Sequence, residues 1–389
     1  MKVQKRLHEI SSSWFKGQNF KKIEIVFEGK NKCIHYGELF SKYGAIIDSV
    51  SSMTDAKPVK LSEYGDILFP ASDVTPTGLT KCSAILEEGV ILGGDIIVMR
   101  LIDGLNPVYV SYAIRFQKEQ LLSRVTGALI KHISARALQT VSIPIVDINI
   151  QKAFEQKVRK LTSIIEKRKQ QLQKLDELVK ARFVEMFVKK DVMDDWAEKK
   201  IMDISTDMRT GPFGSALLHD EFVDSGIFVL GIDNAVENKF SYNRMRYITE
   251  EKYQQLKRYT VNPDDVIITI MGTVGRSAVI PRNIPRAINT KHLACITLDR
   301  DQANPYFLSC AFQIHPVIRT QLQKQSKGAI MDGLNLTIIK RLSFSLPPID
   351  LQEQFVNFYN QIDKSKVAVQ QALDKTQQLF DSLMQEYFG

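Results

Sequence analysis

Arginine and asparagine can read guanine and adenine edges bidentately, while lysine, serine, threonine and backbone N–H groups hold phosphates. This chain gathers those residue types in short stretches punctuated by glycine. In the second half they are Met208–Ser215, with Arg209 and Ser215; Asn234; Asn243–Tyr247, with Arg244 and Arg246; and Gly272–Ser277, with Thr273 and Arg276. Ala287–His292 adds Asn289, Lys291 and His292, and Gln323–Gly328 adds Lys324 and Lys327. In the first half Ser72–Thr77 offers Ser72, Thr75 and Thr77, followed by Lys81, Arg100, Arg124, Thr126, Lys131 and His132. We take these as candidate DNA-binding residues.

Catalytic patterns are missing from the same inventory. There is no GxxxxGK[ST] and no GxGxxG, and Gly272-Thr273-Val274-Gly275-Arg276-Ser277 lacks the lysine a phosphate-binding P-loop requires. That stretch reads equally as a turn between strands or as a loop offering N–H groups and Arg276 to a phosphate. The six histidines show no i, i+4 ligand pair, and Cys33, Cys82, Cys295 and Cys310 form no CxxC, so no metal ligand set is expected. Asn106-Pro107-Val108-Tyr109 is similar to the Asn-Pro-Pro-Tyr/Phe motif of DNA amino-methyltransferases but lacks the second proline. Both it and Asn304-Pro305 read better as the N-cap and first residue of a short helix. The residues argue for binding and against catalysis.

These residues need elements to position them. The length suggests two or three domains at about 150 residues each, and 44% apolar with 25% charged residues is ordinary for a folded protein. No apolar run approaches the ~18 residues of a membrane helix, and the N-terminus lacks an apolar leader, so a cytoplasmic location is expected. The net charge is +8. Most of the excess lies in residues 149–190, which hold 12 basic and 5 acidic side chains, against 3 and 6 in residues 350–389.

The chain also repeats itself. Ile143-Pro144-Ile145-Val146-Asp147 and Leu346-Pro347-Pro348-Ile349-Asp350 each precede a long stretch free of Gly and Pro. The first stretch carries a stripe at Phe154, Val158, Leu161, Ile165, Arg168, Leu172, Leu175, Val179, Arg182 and Met186. Adding 201 gives Phe355, Tyr359, Ile362, Lys366, Val369, Leu373, Thr376, Phe380, Leu383 and Tyr387, with no slip. Steps of four and three are the 3.5-residue period of a coiled-coil seam. Asn106-Pro107 matches Asn304-Pro305, and Gly127-Ala128 matches Gly328-Ala329. The chain is therefore read as two copies of an α+β unit rich in antiparallel strands, each followed by a helix about 60 Å long. The two helices are expected to pair antiparallel, with the globular parts at opposite ends of the stalk. Asp350 with Glu353 predicts a capping box, and the seam cations Arg168 and Arg182 would fix register. The predicted boundaries are 1–148, 149–190, 191–347 and 348–389.

This layout resembles the specificity subunit of type I restriction–modification enzymes. The resemblance is carried by Leu346-Pro347-Pro348-Ile349-Asp350-Leu351-Gln352-Glu353-Gln354, by its degenerate copy from Ile143 to Phe154, by Thr210–Ser215 and by Gly272–Gly275. It implies two target recognition domains, each reading half of a split double-stranded DNA site in a bacterial or archaeal cytoplasm. It also implies an antiparallel coiled coil that sets the spacer. Two methyltransferase subunits would dock on the chain and restriction/translocase subunits would join them. S-adenosylmethionine, ATP and Mg2+ would belong to those partners, and the chain itself would be non-catalytic. The first half shows no counterpart of Gly211-Pro212-Phe213-Gly214 near its start. Two other classes are a coiled-coil adaptor linking two partner-binding domains without DNA, and a methyltransferase in its own right. Methyl transfer by the single chain would favour the latter.

Overall fold

A computed structural model describes residues 2–188, 196–326 and 334–389. The chain divides into two compact units, residues 1–169 with 371–389, and residues 170–370. Both long helices are thus cut near their middles, so each unit contains a segment of each. The 190/191 boundary expected from sequence, the Gly328-Ala329 match and Lys327 lie outside the described residues.

In unit 1 the main sheet runs in the order Ser11–Lys16, Ile96–Leu101, Ile67–Pro70, Ser83–Ile85, Ile46–Ile47. In unit 2 it runs Ser205–Thr210, Leu293–Leu298, Val266–Thr269, Ser277–Val279, the same order for four strands. The β-branched runs after Gly65, Gly94 and Asp264 supply the central strands, whose side chains are buried on both faces. Each unit has a second, three-stranded sheet built around Asn31–Ile34 or Ile227–Leu230. One pair in each of these sheets is parallel. An outer pair closes each unit, Val3–Arg6 with Ser142–Ile145 and Glu198–Lys200 with Ser343–Ser345.

Asn106 and Asn304 do cap short helices, Pro107–Phe116 and Pro305–Ile314. The Asn106 side chain accepts from the Tyr109 N–H at 2.9 Å, and that of Asn304 from the Tyr306 N–H at 3.0 Å. Tyr109 is fully buried and its hydroxyl donates to the Pro144 carbonyl, so this motif holds a core together rather than facing a base.

The long helices span Ile148–Phe187 and Ile349–Phe388. All twenty stripe positions are buried or half-buried. Within unit 1, Phe154 meets Tyr387 and Phe388, and Arg168 donates to the Ala372 carbonyl and to Thr376 Oγ1. Within unit 2, Lys366 pairs with Asp176, while Phe183 and Phe187 meet Phe355. As numbers rise along one helix they fall along its partner, so the pairing in each unit is antiparallel.

Two expectations are corrected. Near its end the central helix buries Phe183 and Phe187, and Arg182 turns instead to Glu185 at 2.8 Å. A straight helix drifts against a 3.5-residue repeat, and over this length the buried face has moved by one position. Asp350 lies inside the first turn rather than at the cap, because the helix already begins at Ile349. Its charge there complements the helix dipole. Among the described residues no helix is long and apolar enough to cross a membrane.

Candidate nucleic-acid interface

Three glutamine and aspartate devices fix each unit before any loop is placed. Gln151 Oε1 accepts from the Asn106 N–H at 2.9 Å and its amide donates to the Val146 carbonyl at 2.8 Å. Gln352 does the same with the Asn304 N–H at 2.9 Å and the Pro347 carbonyl at 2.8 Å. Both glutamines are buried, so each long helix is tied to the start of the short helix through groups that water cannot satisfy. Gln120 and Gln321 likewise bond both backbone groups of Ser142 and Ser343. Buried Asp66 accepts from the Glu63 N–H and from Arg100 Nε and Nη2, each at 2.9–3.0 Å. Buried Asp265 accepts from the Asn262 N–H, Arg209, Thr297 Oγ1 and the Cys295 thiol. Burial, then the Asp265 charge, pushes that thiol well above its ordinary range.

These devices consume several candidate DNA-binding residues. Arg100 is held by Asp66 and Glu63. Arg209 is held by Asp265, Asp207 and the Thr260 carbonyl. Arg124 donates to Thr140 Oγ1 and to the Gln120 and Thr140 carbonyls, and Lys131 to the Gly127 and Ala128 carbonyls. Lys81 reaches the Phe40 carbonyl. Arg246 pairs with Asp233. Asn234 is fully buried, accepting from the Gly231 N–H and donating to the Ser241 carbonyl. Asn289 is fully buried and donates to the Leu293 carbonyl.

The remaining candidates group at strand ends. In unit 1 the two-residue strands Ser72–Asp73 and Lys131–His132 pair, with Thr126 bridged to His132, so Ser72, Thr126, Lys131 and His132 share one edge. Thr75 caps the turn containing Thr77. Exposed Val74, Leu129 and Ile130 lie in the same segments. In unit 2, Thr210, Leu230, Thr269 and Asn289 end their strands together, which brings the 211–214, 231–234, 270–275 and 290–292 segments to one edge. Lys291 and His292 sit there half-buried. Burial, then Lys291 and Arg246, hold the His292 imidazole below its ordinary range. Arg244, Thr273 and Ser215 are exposed on neighbouring loops. Lys324 stands apart on the exposed side of the helix Pro316–Ser326. The 272–277 stretch is a turn between strands. Its Arg276, with Arg319 and Gln323, lines an open cavity of about 270 Å³.

The glycine expected to be missing from the first half is Gly17. A Cβ on Gly17 would lie 1.9 Å from the Gly93 carbonyl oxygen; one on Gly211 would lie 2.1 Å from that of Asn289. Each glycine ends the first sheet strand and lets a turn pass close beneath it. In unit 1 that turn is Gly93-Gly94-Asp95, braced by Gly93 N–H to Ile34 O at 2.9 Å, Ala71 N–H to Asp95 O at 2.8 Å and Ile96 N–H to Gly93 O at 3.1 Å. In unit 2 it is Thr290-Lys291-His292, braced by Thr290 N–H to Leu230 O at 3.0 Å, Ile270 N–H to His292 O at 2.9 Å and Leu293 N–H to Thr290 O at 3.1 Å. Sequence reading missed the first of these turns, because Gly94-Asp95 signals only that a strand follows.

Residues 193–377 match the family model of the type I restriction modification DNA specificity domain. The second half of the chain thus carries a type I DNA specificity domain. The chain is 24% identical over 314 residues to the specificity subunit of the type I restriction enzyme EcoBI of Escherichia coli, covering 74% of this chain. It is 18% identical over 179 residues to the MjaVIII specificity subunit of Methanocaldococcus jannaschii, covering 43% of this chain. The matches span 66% and 41% of the lengths of those relatives. In fold this chain is similar to the S subunit from M. genitalium, with a TM-score of 0.61 at 15% identity, covering 100% of this chain and 96% of that one. It is also similar to a chain from a study of assembly and conformational transition in the type I R-M system, with a TM-score of 0.55 at 14% identity, covering 99% and 97%.

Proposed function

We propose that this chain is a specificity subunit that recognises a split DNA site, one half-site per unit, and positions methyltransferase and restriction subunits on it. The observation that carries the reading is the repetition of one loop-bearing strand edge in both units, in a chain with the family's specificity domain. Each edge would seat on phosphates through Ser, Thr, Lys and backbone N–H groups and read base edges with its remaining polar side chains. Two methyltransferase subunits and the restriction subunits are its partners in this reading. S-adenosylmethionine, ATP and Mg2+ serve the chemistry of those partners, in the cytoplasm where the DNA lies. The paired helices contribute to both units, so their length enters the spacer between half-sites.

The test is co-expression with the methyltransferase subunit of the same system, followed by genome-wide mapping of methylated adenine. A split motif with one fixed spacer, absent when this chain is omitted, is the expected result. An assembled complex whose methylation pattern ignores this chain would sink the proposal and leave the adaptor reading. Insertion of one heptad into both helices is expected to change the spacer and neither half-site.

A further inference from the structure

A side chain that reads a base needs hydrogen-bonding capacity the protein has not already used, and a backbone that holds it still. Two candidate cations in unit 2 fail the first condition, since Arg209 and Arg246 are spent on carboxylates. Arg244 lies exposed on a loop, Lys324 stands apart on the outer face of its helix, and Arg276, its backbone tied to Thr269, lines the cavity with Arg319 and Gln323. Lys291 meets both. Among the described residues its side chain has no hydrogen-bond or ion-pair partner, and its turn is braced by three backbone hydrogen bonds, by the Asn289 amide from beneath and by Gly211 pressed against it. Buried Asn289 Oδ1 and Thr290 Oγ1 are also unpartnered beneath the turn.

The two units add an independent argument. Their turns share the same three hydrogen bonds and the same crowding glycine, yet one presents Gly93-Gly94-Asp95 and the other Thr290-Lys291-His292. A rigid frame with changed side chains is what two recognition domains reading different half-sites require.

Resting on the reading above, we infer that Thr290–His292 is a base-reading element of unit 2, with the Lys291 ammonium donating to O6 and N7 of a guanine. Lysine is a donor only, and guanine is the base whose major-groove edge offers two acceptors without a donor. His292, uncharged at neutral pH, keeps one donor and one acceptor beside it.

The experiment compares wild type, Lys291→Ala, Lys291→Gln and Lys291→Arg in the assembled methyltransferase complex, reading methylated adenines across the host genome. Wild type must first yield a split motif; failure there rejects the proposed function itself. Given that motif, Ala and Gln are expected to relax one guanine position in a single half-site, with discrimination lowered roughly 5- to 150-fold. The other half-site and the spacer should persist, and Arg should retain the guanine. Gln keeps much of the lysine stem, so it carries the test if the Ala variant does not assemble. An unchanged motif in Ala and Gln overturns the inference. So does an equal fall at all sites with no base relaxed, which is the signature of a phosphate contact.

Discussion

Below their edges the two units are nearly the same object; at their edges they differ. Gln151 and Gln352 make the same two hydrogen bonds, at the same distances, to the same features of each unit. The turns at 93–95 and 290–292 share every backbone bond and no side chain. Even the arginines on the buried aspartates come from different strands, Arg100 from Ile96–Leu101 and Arg209 from Ser205–Thr210. What orients a unit on its helices is thus repeated, and the chemistry it presents is not. Recognition can change without moving the frame.

The comparison breaks first if the two aromatic seam residues are not equivalent. Phe154→Ala and Phe355→Ala each empty a fully buried aromatic site, and each is expected to cost about 3–5 kcal/mol by denaturant unfolding. A large cost at one and a negligible cost at the other would mean the stripes do unequal work. Next come Gln151→Leu, which strands the Asn106 N–H and the Val146 carbonyl, and Gln352→Leu, which strands the Asn304 N–H and the Pro347 and Gln302 carbonyls. A loss of about 2–4 kcal/mol is expected for each variant, and matched losses would sharpen the case for a repeated device. The smallest effect separates the units by pH. His315 is buried between Phe183 and Phe344 with neither ring nitrogen partnered, and burial lowers its pKa to about 4. Its unfolded form takes up a proton from about pH 6.5 downward while the folded form resists, so stability falls as pH drops through that window. The loss at pH 5 is about 2 kcal/mol. His315→Leu should flatten the pH profile of unfolding. The equivalent place in unit 1 holds Gln117, bonded to Gln120, and has no such dependence.

The repeat was legible because a seam period of 3.5 survives substitution so long as each position stays non-polar or long-stemmed, and Lys366 and Arg168 satisfy that. The ends of the helices were less legible: Phe183 and Phe187 follow the 3.6-residue helix once the seam no longer constrains it. The burial of Gln151 and Gln352 was not read from sequence, because glutamine ordinarily faces water; their shared place three residues before Phe154 and Phe355 was the available signal. Gly17 could not be matched to Gly211 from sequence, because the carbonyl each must clear is brought in by strand pairing with a distant segment. Arg100 and Arg209 have the right chemistry for DNA, yet sheet register puts Asp66 and Asp265 within reach of their guanidinium groups. Residue type was readable, and prior engagement was not.

The cutting of both helices between the units has a consequence for synthesis. The core of unit 1 is completed by Leu383, Met384, Tyr387 and Phe388, which a ribosome reaches only after all of unit 2. Residues 1–169 must therefore wait, with Phe154 and Val158 uncovered, while the following 201 residues are translated. The unit made first finishes last, so a nascent chain halted anywhere inside unit 2 carries an open apolar face that chaperones and proteases can recognise.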